Sequence, residues 1–136
     1  MNKNHAETVS GIRADLNNGL RKINEITPMT LADRLCLDAV KRDHQIRALN
    51  ELLAIYKAPD QSLIDEYLNE KNGSAFNDPS ERTQETAAAH FAEYAEDEER
   101  NLRRLLTERE LLIGYINADE QMLIKYNDFR GRFPTP

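Results

Sequence analysis

Between residues 9 and 26 the apolar positions are Val9, Ile12, Leu16, Leu20, Ile23 and Ile26. Steps of three and four residues trace one face of an α-helix and show no strand-like alternation. Gly11 and Gly19 fall inside this segment, and each costs about 1 kcal/mol relative to Ala. Either another helix comes close there or the segment is marginal by itself. Thr27-Pro28 ends it, because the residue before a proline is pushed out of the helical region. With Thr27 or Thr30 as N-cap, a second helix then runs to about Tyr56. Its apolar stripe is Leu31, Leu35, Ala39, Ile46, Leu49, Leu53 and Tyr56, and Arg42 takes a position where an apolar residue was due.

Ala58-Pro59-Asp60 is the next break, and Asp60 caps a short helix carrying Leu63, Ile64, Tyr67 and Leu68 that stops near Gly73. Residues 73–78 read as a loop, with Phe76 as an anchor. Asp78-Pro79-Ser80-Glu81 has a capping carboxylate, a proline at the first helical position and a glutamate three residues after the cap. It predicts one long helix starting near residue 79, with a stripe of Ala88, Phe91, Ala95, Leu102, Leu105, Leu112 and Ile116. Glu98 and Arg109 fill the two gaps in that register. Gly114, together with Asn117 as a cap for Glu120, predicts a kink or break near 114–118. A last helix with Met122, Leu123, Tyr126 and Phe129 follows, and a flexible tail spans about 131–136. Without the break, a single helix of roughly 75 Å would result at 1.5 Å per residue.

The expected fold is therefore all-α, a bundle of four to five helices in a single domain over residues 1–136. Composition agrees: 40% hydrophobic residues support a core, and 31% charged residues supply polar outer faces. Five Gly and five Pro are few for a many-turned β fold. Met1 to Glu7 is polar with no apolar run behind it, so no secretory signal is expected, and the apolar runs are far shorter than a span of about 20 residues. A cytoplasmic protein is the expectation. The single cysteine, Cys36, lies in Arg34-Leu35-Cys36-Leu37 and reads as a small buried hydrophobe.

Charge changes the picture more. The net charge is -6, yet residues 1–57 and 100–136 each balance at +2 while residues 58–99 carry -10. The densest acids are Glu93, Glu96, Asp97, Glu98 and Glu99, followed at once by Arg100, Arg103 and Arg104. A solvated face with pairs Glu96–Arg100 and Glu99–Arg103 is the plainest reading, at about 0.3–0.5 kcal/mol per pair. The sharper reading is a face that steers a basic protein surface, or a nucleic-acid-mimicking inhibitor of a DNA- or RNA-binding protein. Direct nucleic-acid binding is not expected of so acidic a chain.

Catalytic signatures are missing from the sequence: no Gly-rich phosphate loop, no G-x-S-x-G elbow and no H-E-x-x-H. His90, Glu93 and Asp97 share a helical face, but none of the three histidines has Glu three residues before it, as a carboxylate-bridged di-metal bundle would need. Neither a metal nor another cofactor is expected. Cys36 and His44 lie two turns apart on one helix, too far to act as nucleophile and base. Arg42 and Glu98 are candidates for a partly buried ion pair, which would fix helix register. The end of the chain, with Arg130, Arg132 and Phe133, is a frayed tail or a flap folded onto the bundle, or, on a sharper reading, a docking arm.

Function is thus expected to be non-enzymatic: a protein-binding module, inhibitor or adaptor, acting through Glu93, Glu96, Asp97, Glu98 and Glu99 or through Arg130, Arg132 and Phe133. Small size, acidity and missing catalytic motifs are also what a phage or mobile-element inhibitor would show. A self-associating helical subunit is the alternative, from heptad-like spacing at 9–26 and 102–116.

Overall fold

A computed structural model describes residues 4–72 and 84–135. The protein is an all-α bundle: α1 (His5–Asn24), α2 (Leu31–Lys57), α3 (Gln61–Asn72), α4 (Gln84–Asn117) and α5 (Glu120–Arg132), with no strand among the described residues. The loop at 73–78 and the capping motif at 78–81 lie outside the described residues, as does the expected start of the long helix near 79.

Each helix start seen is set by a short polar side chain. Asn4 accepts from Glu7 N at 2.8 Å, and Thr30 accepts from Asp33 N at 3.1 Å. Asp60 accepts from Leu63 N at 3.2 Å and also from His5 N at 2.8 Å, while Ser62 Oγ accepts from Ala6 N at 3.1 Å. The start of α3 thereby satisfies amide donors that the first turn of α1 cannot pair internally. The expected break between α4 and α5 falls at the end of the 114–118 window, at Ala118 and Asp119. Gly114 is carried inside α4, and Asp119, not Asn117, is the cap, accepting from Gln121 N at 2.9 Å and Met122 N at 3.3 Å. A single 50-residue helix does not form, because Asp119 adopts an extended backbone that turns the chain.

Helix α2 is the centre of the bundle. It packs on α1, α4 and α5, so its buried residues encircle it: Cys36, Leu37, Ala39, Val40, His44, Ala48, Leu52, Leu53 and Tyr56. The single stripe read from the sequence is therefore too narrow. Leu31, its first member, is 71% exposed beyond the last packed layer. In α4 the buried residue one turn before Phe91 is Ala87, and Ala88 is exposed.

Helices α2 and α4 run antiparallel. Arg42 pairs with Glu108 (Nη2–Oε2 3.0 Å), Asp43 with Arg109, and Tyr56 stacks at 5.5 Å on Tyr94. This register overturns the expected Arg42–Glu98 pair: Glu98 lies ten residues from Glu108, about 15 Å along the axis. One core cluster joins Leu52, Tyr56, Tyr67, Phe91 and Leu102, and the other joins Ile23, Cys36, Val40, Ile116, Tyr126 and Phe129.

Between the two clusters lies His44, 5% exposed, with Nε2 2.9 Å from the Phe133 carbonyl oxygen. Its ring leans on Gly19, where an added Cβ would come within 2.9 Å of Nδ1. Gly19 is thus the close approach anticipated for one of the two glycines, whereas a Cβ at Gly11 meets nothing within 4 Å. Gly11→Ala is expected to raise stability by about 0.5–1 kcal/mol through helix propensity alone. Gly19→Ala should instead lower it by about 1–3 kcal/mol, as overpacking against a ring held by a hydrogen bond does. Urea unfolding of the two variants side by side checks the opposite signs.

Candidate protein-binding surface

The long helix α4 has 34 described residues, about 50 Å at 1.5 Å per residue. It buries Ala87, Phe91, Ala95, Leu102, Leu105 and Ile116 on one side and leaves the opposite side open. Glu93, Glu96 and Asp97 are exposed on it, while Glu98 and Glu99 are half-buried at its flank. The five acids are therefore split between two environments. Asp97 pairs with Arg100 one turn on, and Arg104 pairs with Glu108 at 3.1 Å. The expected pairs Glu96–Arg100 and Glu99–Arg103 do not form, because Arg100 turns to Asp97 instead and Arg103 makes no side-chain ion pair among the described residues.

Arg130, Arg132 and Phe133 belong to a different place. Helix α5 continues through Gly131 to Arg132, and Phe133 caps it, with its N–H on the Phe129 carbonyl at 2.9 Å. Arg130 lies over the Tyr126 ring at 5.4 Å, and Arg132 sits 5.7 Å from both Phe129 and Phe133. The Phe133 carbonyl meets His44, so this end of the chain is a flap on the bundle. Antiparallel register sets it beside the middle of α2, while Glu93 to Glu99 lie level with the C-terminal part of α2. The structure does not bring the two sets of residues into one surface.

Beside the flap is a cleft of about 480 Å³ lined by Val40, Asp43, Asn127, Arg130, Phe133 and Thr135. One lining residue, Asp43, belongs to a polar triad. Tyr126 donates to Asp43 Oδ2 at 2.5 Å, Asp43 pairs with Arg109, and Arg109 reaches the Tyr126 oxygen at 3.5 Å. Burial, and then the Asp43 carboxylate, push the Tyr126 phenol up from 10.0 to about 12. On the far side of α5, Lys125 binds Asp33 at 2.5 Å and holds that carboxyl below its usual range. Cys36 is fully buried with Sγ 3.4 Å from the Met122 carbonyl, and burial raises its thiol pKa.

A second feature, missed from the sequence, is an aromatic groove of about 190 Å³. Tyr56, Tyr67, His90, Phe91 and Tyr94 come together there from three helices; His90 sits 4.5 Å from both Tyr67 and Tyr94. Arg13 of α1 donates to the Tyr56 hydroxyl at 2.6 Å. The His90–Tyr94 spacing of four residues was the one local signal for it. Among the described residues no group of three His, Cys, Asp or Glu side chains is arranged to hold a metal ion, and none of the helices is long and apolar enough to cross a membrane.

Comparison with protein-family models, curated proteins and solved structures returns no match to this chain.

The Tyr126 triad has a pH signature. A phenol whose folded pKa lies above its unfolded value contributes stability that is intact below pH 10 and is lost as pH rises towards about 12. The melting temperature should fall through this window, and Tyr126→Phe should flatten that part of the profile. The same variant should lose about 1 kcal/mol at neutral pH for the missing hydrogen bond. Phenolate absorbance should show one of the five tyrosines ionising late; a titration with no late tyrosine would contradict the triad.

Proposed function

We propose that this protein is a non-catalytic binding module, an inhibitor or adaptor, that engages a basic protein surface through the open side of α4. The observation that carries this reading is that Glu93 and Glu96 stand exposed there and make no ion pair among the described residues. Carboxylates left uncompensated on the outer face of a long rigid helix attract a cationic partner over a distance and lose little on docking. Asp97, already held by Arg100, adds to the rim of the same face.

Cys36 and His44, the nucleophile and base considered from the sequence, have structural bonds. Cys36 and His44 project from α2 to different neighbours, the Met122 and Phe133 carbonyls. Arg100, Arg103 and Arg104 follow the acids on the same helix and interrupt the negative field, which favours a local docking face over a mimic of an extended phosphate backbone.

The test is capture of tagged protein from its native cell at low and high salt, alongside a Glu93→Lys, Glu96→Lys, Asp97→Lys variant. A partner held through this face should be retained at low salt, released at about 0.5 M salt where the Debye length is about 4 Å, and lost by the triple variant. A salt-resistant partner kept by that variant would refute the reading and direct attention to Arg130, Arg132 and Phe133.

A further inference from the structure

The outermost line of α4, opposite its buried side, is Ala89, Glu93, Glu96, Arg100, Arg103 and Thr107. The residues follow one another at steps of four, three, four, three and four, the spacing of a seam between two packed helices. All six are exposed. The two acids precede the two arginines, so the line has the opposite charge order when read backwards. A copy of the same helix laid antiparallel across it meets acid with base at each of the four charged positions.

We propose that this seam docks a second copy of the chain, with α4 pairing antiparallel to α4 about a two-fold axis near residue 98. In that register Glu93 faces Arg103 of the second copy and Glu96 faces Arg100, and the symmetry repeats both pairs. Ala89 then faces Thr107 at each end. Small side chains at these outer positions let the two helices approach closely, while the four charge pairs fix direction and register. A parallel arrangement would set Glu on Glu and Arg on Arg. The charges are available: Glu93, Glu96 and Arg103 make no ion pair among the described residues, and Arg100 is held only by the exposed Asp97 on its own helix. An isologous contact of this kind closes at two copies. Because exposed pairs are weak and screened, the dimer is expected to be salt-sensitive. The inference rests on the reading that this face of α4 takes a basic surface, and it names the arginines of another copy as that surface.

The experiment is a charge exchange read by sedimentation velocity at about 100 μM protein, near the dissociation constant of a weak complex. Glu93→Arg with Glu96→Arg makes the seam wholly basic, and Arg100→Glu with Arg103→Glu makes it wholly acidic. The natural protein should sediment as a dimer in low salt and as a monomer in about 0.5 M salt. Each variant alone should be monomeric, and an equimolar mixture of the two should form a heterodimer. The mixture guards against misfolding, since damaged variants would not recover association. A monomeric natural protein in low salt, a variant that still dimerises alone, or a mixture that stays monomeric would overturn the proposal. The acidic variant also separates the two readings, because it keeps Glu93 and Glu96 and would still capture an unrelated basic partner.

Discussion

Antiparallel contact between α2 and α4 is the constraint on which the other placements depend. Two neighbouring ion pairs, Arg42 with Glu108 and Asp43 with Arg109, lie side by side across it. Half-buried charges of this kind add little net stability, but a slip of one turn would strand them, which is costly. They therefore act as a register lock on a contact otherwise made of interchangeable aliphatic and aromatic side chains. From the lock onward, geometry follows: Tyr56 reaches Phe91 and Tyr94 at one end, and Val40 shares a core with Ile116 and Tyr126 at the other.

The two ends are built differently. Around Tyr56 the packing is aromatic and is shared with α1 and α3, whose starts are stitched together by Asp60 and Ser62. Around Val40 it is mainly aliphatic and is closed by α5, with Asp33–Lys125 and the Tyr126 triad at its margins. Among the described residues no buried side-chain nitrogen or oxygen lacks a hydrogen-bond partner, so the polar insertions into this core are all satisfied. Since α2 takes up the inner side of α4, no helix among the described residues covers the outer side of α4.

Helix positions were legible in the sequence because local signals determine them. Thr30, Asp60 and the 27–30 turn act within a few residues, and their effect needs no tertiary contact. Apart from Cys36, read as buried, much of the inner face of α2 was not legible, because a helix surrounded on three sides has no single stripe and Leu37, Val40 and Ala48 look unpatterned one by one. Partners across helices were also beyond reach. Arg42 was recognisable as a charge in an apolar register, but choosing Glu108 over Glu98 requires the antiparallel offset, which only the folded chain sets. For the acidic face, the residues could be read from the sequence, whereas the division into exposed Glu93, Glu96 and Asp97 and half-buried Glu98 and Glu99 depends on where the helix turns its back to the core.

Cys36 gives the protein a built-in reporter. It is the one thiol in the chain, it has no exposed surface, and its sulfur lies against the first turn of α5. A reagent can reach it when the packing around α5 opens, so the rate of thiol labelling measures how often that part of the core is exposed. When opening and closing are fast relative to labelling, the rate reports the free energy of that local opening separately from global unfolding. One sulfur atom, with no added probe, thus times the opening of the core on which the helix carrying Arg130 and Arg132 rests.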